Sequence, residues 1–449
     1  MFPEAVARYH DLLQDETLAE TSRTMLDEGL ERARLIFGGR RLSPYLRPHF
    51  VSEDDFRRIS SVCETVWSAI QKVKDAAISD PSIVDDLGVT DVERDLVSIN
   101  PGYKAVSPTS RLDSFLTADA YSFVELNGES PAGIAYADAA YDIFSSLPVM
   151  KKFSEDYNLR PLYGSRFMLD VLVDSYVEFL GRQPEQTPRI AIVDLAGVPT
   201  VKEFELFRDF FESSGYPAVI CTPQELEYRD NQLSYLGQKI DIVYKRLLVN
   251  EYLPIMNDFP ALLHAYRAGS ICMVNSFRSK LIHKKALFAV LTDKRRASLF
   301  NTAELEAINA HVPWTRTVND QQSDYRGKEI ELLEFIRANS HRLVLKPNDD
   351  YGGHGITIGW STDAAGWEQA IEQALDDGDY LVQERVPTAR ETFPALDNGG
   401  IVFAEQLVDL DPLLFNGKVR SAFTRLSYTE LANVSSGGGM VPTYVVSKR

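Results

Sequence analysis

The chain has 449 residues, 44% of them hydrophobic and 25% charged, with 65 acids against 47 bases for a net charge of −18. That length predicts about three domains or lobes with a sizeable core, and that composition excludes wholesale disorder and fibrous repeats. The acidic balance disfavours nucleic acid as a partner but leaves room for an anionic small ligand in one locally basic cleft.

No apolar run approaches the roughly 18–20 residues of a membrane span; the longest stretch, 286–291, is flanked by Lys285 and Thr292. The opening residues carry Glu4, Arg8 and Asp11 and do not read as a secretory signal. Cys63, Cys221 and Cys272 are too few and too scattered for a disulfide framework. A reduced, cytoplasmic enzyme acting without a membrane is the expectation.

Along the chain, 5–13 and 56–73 read as one-sided helices, the second from Ile59, Val62, Val66, Ile70 and Val73. Ser52, followed by Glu53, Asp54 and Asp55, is placed as the N-cap. These amphipathic helices suit a homo-oligomer interface as well as a core. A polar, Pro-containing loop over 100–109 leads to segment 110–115 and a short strand over 121–127. After a polar linker at 182–188, strand 189–194, helix 201–213, strand 218–221 and strand 241–246 give a βαβ pattern, hence a parallel sheet. From about 274 onward, strands at 343–346, 380–386 and 401–407 alternate with Gly-rich turns.

Three constellations carry chemistry. In Arg342-Leu-Val-Leu-Lys-Pro-Asn-Asp-Asp-Tyr-Gly-Gly-His-Gly-Ile356 an apolar strand delivers Lys346 to a loop containing Gly352, Gly353 and Gly355. Glycines let backbone N–H groups approach phosphate oxygens while an ammonium neutralises them. The competing reading is a glycine-rich hairpin turn. The next strand, Tyr380-Leu-Val-Gln-Glu-Arg-Val386, can offer its backbone to an adenine edge, with Gln383, Glu384 and Val386 at that edge, or is an ordinary core strand. Far upstream, Glu125 and Asn127 share one face of a strand, and Asp113 arrives from its neighbour. That hard-oxygen set suits Mg²⁺, although a solvated edge strand would look the same.

Together these motifs resemble the ATP-grasp superfamily of carboxylate–amine ligases. Because the Asp and Glu-x-Asn precede the glycine loop, the order is similar to the circularly permuted ATP-grasp fold of eukaryotic-type glutathione synthetases and glutathionylspermidine synthetases. The resemblance covers roughly 105–449 and implies an α/β chain of several lobes. A helical segment (1–104) would precede the metal strand and helices of the ATP-grasp core (105–184). A βαβ substrate-binding lobe (185–275) and the nucleotide-binding lobes (276–449) would follow. It implies ATP and Mg²⁺ as cofactors and a small acid and an amine as substrates.

Residue by residue, the resemblance assigns Lys346 to nucleotide phosphates and Asp113, Glu125, Asn127 and Asp350 to metal. Lys285, with Lys280 as rival, would be a second nucleotide lysine on a helix within 276–286. Arg111 would hold the acid, Arg246 would bind substrate, and Arg425 would precede a substrate loop formed by Asn433 with Gly437 and Gly438. An acyl phosphate, positioned by Arg425 or Arg111, would be attacked by the amine in a water-poor cleft. A phosphotransferase on a small acid and a non-catalytic nucleotide-binding regulator are the alternatives. Cys63 reads as core, and His354 as a turn residue facing water.

Overall fold

A computed structural model of the chain describes residues 2–37, 39–105, 107–397, 400–430 and 438–449. The three- and four-residue apolar spacing of the N-terminal hundred residues forms helices Pro3–Leu12, Glu16–Arg32 and Glu53–Ser79. Ser52 caps the last of these, its hydroxyl accepting the Asp55 N–H at 3.0 Å, so the three acids fall in the positive first turn. This helix buries Ile59, Cys63, Val66, Ile70 and Val73 in the main core, where Cys63 is a packed thiol. Four residues just before it, His49–Ser52, form a strand that was not foreseen; they are too short for alternation to show.

That strand joins an eight-stranded sheet built from both ends of the chain. Its order runs His49–Ser52, Gly439–Lys448, Lys418–Ser427, Gly400–Phe415, Thr109–Leu116, Tyr121–Asn127, with Ala389–Asp397 and Tyr157–Arg160 added at the sides. Leu413 stands opposite Arg111 and Leu410 opposite Ser114, while Arg111 faces Asn127 and Asp113 faces Glu125. The strand expected over 401–407 extends to Phe415, because residues 406–415 are buried on both faces.

The βαβ pattern is realised as read. Ile190–Val193, Ala218–Cys221, Ile242–Lys245 and Cys272–Val274 form a parallel sheet, and helix Val201–Ser213 packs beside it. A third sheet sets Thr315–Thr317, Tyr380–Glu384, Leu343–Pro347 and Thr357–Ile358 side by side, all antiparallel. The strand expected through Val386 stops at Glu384, before Pro387. The helix expected within 276–286 is broken into Phe277–Ser279, Lys280–His283 and Ala286–Leu291, with Lys284 and Lys285 at the break.

Buried Asn275 registers the parallel sheet against the strand pair Thr109–Leu116 and Tyr121–Asn127. Its amide nitrogen lies 2.7 Å from the Thr109 carbonyl, 2.8 Å from Gly128 O and 3.0 Å from Glu129 O, and its carbonyl accepts the Thr109 N–H at 3.3 Å. Asn275→Ala removes four hydrogen bonds to buried backbone, though the Thr109 and Gly128 carbonyls keep the Ser107 hydroxyl, so a loss of about 1–3 kcal/mol is expected in chemical denaturation. A change within experimental error would mean these loops are held by other contacts.

Candidate functional site

Lys346 lies near the end of Leu343–Pro347, and the chain returns antiparallel at Thr357–Ile358, so 348–356 form a hairpin loop above the lysine. Gly352, Gly353 and Gly355 hold φ of +70°, +80° and +67°, a region that L side chains seldom enter. At Gly355 a Cβ would also sit 2.9 Å from the Tyr380 hydroxyl and 3.1 Å from Pro347.

Beneath this loop is an open cleft. Asp113 and Glu125 from the early strands line it together with Lys285, Lys346, Asp350, Gly352, Gly353, Asp409 and Arg425 from later in the chain. Phe115, Val124, Val344, Ile356, Ile358 and Val386 supply an apolar wall. Gln383 and Glu384 also reach it. Glu384 accepts the Tyr325 hydroxyl at 2.6 Å and an Arg326 N–H at 3.0 Å.

Two lysines converge on Glu125. Lys346 Nζ donates to Gln383 Oε1 at 2.6 Å and to the Val124 carbonyl at 3.2 Å. Lys285 Nζ lies 3.6 Å from Glu125 and donates to the Asp350 carbonyl. Burial alone would raise the Glu125 carboxyl, but Lys285 and Lys346 outweigh it and hold it well below the usual carboxylate range. Burial, with Lys285 adding repulsion, lowers Lys346 to about 8 against the opposing pull of Glu125.

A denser group of charges adjoins them. Arg425 reaches Asp113 and Asp409, each at 2.5 Å, and its Nε lies 2.9 Å from Asp411. Arg111 pairs with Asp113 at 2.7 Å and donates to the Ala132 carbonyl at 3.0 Å; its guanidinium lies over the Phe423 ring and does not line the cleft. Burial raises the Asp409 carboxyl to about 6 in spite of Arg425. Asp409 was missed in the sequence, yet Asp409-Leu-Asp411 places two acids on one strand face, and Asp409 pairs in register with Arg425. The Glu-x-Asn logic, applied to this strand too, finds it.

The carboxylates fall into two sets: oxygens of Asp113, Asp409 and Asp411 lie within 4.8 Å of one another and already share the Arg425 guanidinium, whereas Glu125 and Asp350 join no such group among the described residues. Asp113, Glu125, Asp350 and Asp409 all line the cleft and all offer hard oxygens. Asp409 Oδ1 is buried without a hydrogen-bond partner, which leaves one carboxylate oxygen for a ligand. Asn127, expected as an oxygen ligand, instead donates its amide to Asp113 at 3.1 Å and Glu125 at 3.3 Å and does not line the cleft. In that orientation it holds the two carboxylates together.

The remaining expected residues fall elsewhere. Lys280 is wholly buried and spends its charge on Glu129 and Asp349, so the helix break leaves Lys285 as the lysine in the cleft. Arg246 is also outside it. Its guanidinium donates to the Pro131 carbonyl at 2.9 Å and to Glu203 at 3.4 Å, and Glu203 accepts Gly133 N–H and Ala135 N–H where helix Ile134–Ser146 begins. Arg246 therefore braces the loop that follows the Glu-x-Asn strand. Gly438 is buried beside strand Gly439–Lys448 and does not line the cleft; Asn433 and Gly437 lie outside the described residues.

No protein-family model matches the chain. A glutathione synthetase-like effector, GSS30, of Globodera pallida superposes over 97% of this chain and 99% of its own with a TM-score of 0.61, at 14% identity. The fold is glutathione synthetase-like. A Methylobacillus flagellatus structure provisionally named γ-glutamylcysteine synthetase aligns over 85% of each chain at a TM-score of 0.41 and 10% identity. In sequence, a Frankia alni protein provisionally named glutamate–cysteine ligase 2-3 is 25% identical over 240 residues. That match takes in 51% of this chain and 26% of the Frankia protein, so the chain spans about a quarter of that relative's length. Among the described residues, no helix is long and apolar enough to cross a membrane.

Lys346 is expected to react with an amine-directed reagent with a midpoint near pH 8, since the neutral amine is the reactive form. Glu125→Gln removes the carboxylate that favours its charge, so the midpoint is expected to fall further. A midpoint near the ordinary lysine value of about 10.4 would show that the amine is not desolvated.

Proposed function

We propose that this chain is an ADP-forming carboxylate–amine ligase of the circularly permuted ATP-grasp kind, dependent on ATP and Mg²⁺. The observation that carries the reading is the meeting of Glu125 and Lys346, more than two hundred positions apart, in one cleft under the glycine loop. The register of Thr109–Leu116 against Gly400–Phe415 supports the permuted order, since it sets the early acids beside a strand from the late part of the chain. The names of the relatives favour an amino acid or γ-glutamyl compound as the acid.

In this reading Lys285 and Lys346 bind nucleotide phosphates as fixed cations, and the positive-φ glycines turn loop amides toward them. Asp113, Glu125, Asp350 and Asp409 would hold Mg²⁺, which supplies charge neutralisation around the phosphates when bound. The apolar wall from Phe115 to Val386 accepts the base. Arg425, at the border of the cleft and the aspartates, orients the acid, whose carboxylate takes the phosphoryl group to become an acyl phosphate. The amine nitrogen then forms the C–N bond as phosphate leaves. Loop closure keeps water from that intermediate. In this reading the parallel sheet over 185–275 serves as the substrate lobe, with Arg246 bracing the loop after the Glu-x-Asn strand rather than lining the cleft.

ADP release, screened over amino acids, γ-glutamyl dipeptides, polyamines and hydroxy acids, tests the reading. Turnover is expected only with acid, amine and Mg²⁺ together, and EDTA is expected to abolish it. Lys346→Ala and Glu125→Gln are each expected to lower it by about 10²-fold or more, the usual loss on removing one transition-state contact. Phosphate retained on the acid product would indicate a phosphotransferase instead, and unchanged turnover in both variants would falsify the site.

A further inference from the structure

Behind the cleft lies a second cluster of charge in which Glu93, Glu129 and Asp349 face Lys245, Lys280 and Lys284. Lys280 Nζ stands 2.6 Å from Asp349, 3.0 Å from Glu129 and 3.7 Å from Glu93. Lys284 Nζ bridges Glu93 and Asp349, at 3.1 Å each, and Lys245 Nζ meets Glu129 at 3.2 Å. His283 sits against this group, and burial lowers it to about 4, so it adds no charge. Three carboxylates are therefore matched by three ammonium groups.

Glu129, His283 and Asp349 by themselves have the spacing of a metal site. Lys280 argues against that reading: its ammonium already lies within ion-pair distance of both carboxylates, and a divalent ion beside it would be repelled.

Burying so many ions brings little net stability when hydrophobic residues could fill the space, so the network calls for another role. Its members come from five separate segments: helix Asp91–Ser98, the loop after Glu-x-Asn, strand Ile242–Lys245, helix Lys280–His283 with the break after it, and the root of the glycine loop. None of the six charged residues lines the cleft. Each of the last two segments nevertheless continues directly into a residue that does: Lys284 into Lys285, and Asp349 into Asp350.

The loop root is held on its other side as well. Asn348 accepts the Ala286 N–H at 2.8 Å and donates to the Leu87 carbonyl at 3.0 Å and to Asp379 at 2.8 Å. The Lys285 N–H donates to the Asn348 carbonyl at 3.0 Å. Beyond Asp350 the loop makes local hydrogen bonds, such as the His354 N–H to the Tyr351 carbonyl at 3.4 Å, and the Tyr351 hydroxyl donates to Glu251 at 3.0 Å; Tyr351 is half exposed.

We infer that Asp349, clamped by Lys280 and Lys284, is a positioning residue that fixes the root of the glycine loop against the helix break, registering Lys285 and Asp350 with Lys346 and confining loop motion to 351–355. This deepens the nucleotide reading and rests on it for its kinetic consequence, while the mechanical claim stands without a ligand.

Chymotrypsin cleavage after Tyr351 in the full chain, followed by mass spectrometry of the new Gly352 terminus, measures the mechanical claim. Asp349→Asn and Lys284→Met are each expected to speed this one cleavage by about tenfold or more, because local opening becomes easier. Lys284→Arg, which can still bridge both carboxylates, is expected to restore protection. If Asp349→Asn does not fold, Lys284→Met carries the same measurement with Lys280 still in place.

Cleavage at the wild-type rate in Lys284→Met, cleavage spread over the whole chain, or no protection by Lys284→Arg would each overturn the inference. In the ADP-release assay Asp349→Asn is expected to raise the KM for ATP about tenfold, with kcat changed far less. A protein that turns over no substrate pair would defeat the ligase reading and leave the proteolysis result to decide the clamp.

Discussion

Arg111 can face Asn127 on one side and Leu413 on the other only because Thr109–Leu116 lies between Tyr121–Asn127 and Gly400–Phe415 in one sheet. A shift of one residue in this strand would turn Asp113 away from Arg425 and toward the opposite face. The same displacement would separate Asp113 from Glu125, its partner across the pair. The charges of the cleft are thus fixed by backbone hydrogen bonds between parts of the chain some three hundred residues apart.

The electrostatics follow from that geometry. The whole chain carries −18, yet the cleft concentrates lysine and arginine beside its acids. Lys285 and Lys346 keep Glu125 ionised, and Glu125 resists the neutralisation of Lys346 that burial favours. Arg425 pairs with Asp113 and Asp409 beside them. Each charge is tolerated out of water because an opposite one is adjacent, and an incoming anion would meet groups already oriented.

Local features were readable where one pattern determined one element. Helix Val201–Ser213 and strand Ala218–Cys221 carry their periodicity and turn glycine within a single βαβ unit. The glycine loop was visible because three glycines follow a strand-borne lysine. What the linear pattern could not resolve was tertiary. Lys280 and Lys285 are equivalent in a regular helix, and only the break at Lys284 sends one inward to Asp349 and the other into the cleft. Arg246 presents the same charge whether it meets a ligand or Glu203. Asp409 was passed over because its partner, Arg425, arrives across a strand pairing that sequence distance conceals.

Trp360 has an optical consequence. Of the four tryptophans it alone stands among the residues that line the cleft; Trp67 and Trp367 are buried in cores, and Trp314 donates its indole N–H to the Asp324 carbonyl. Its ring carries the Arg385 guanidinium 4.2 Å from the centroid, a stacked cation sensitive to anything that enters beside it. The molecule therefore contains its own emitter in the lining of the cleft, and excitation of the indole reads occupancy there against a background of three chromophores placed elsewhere.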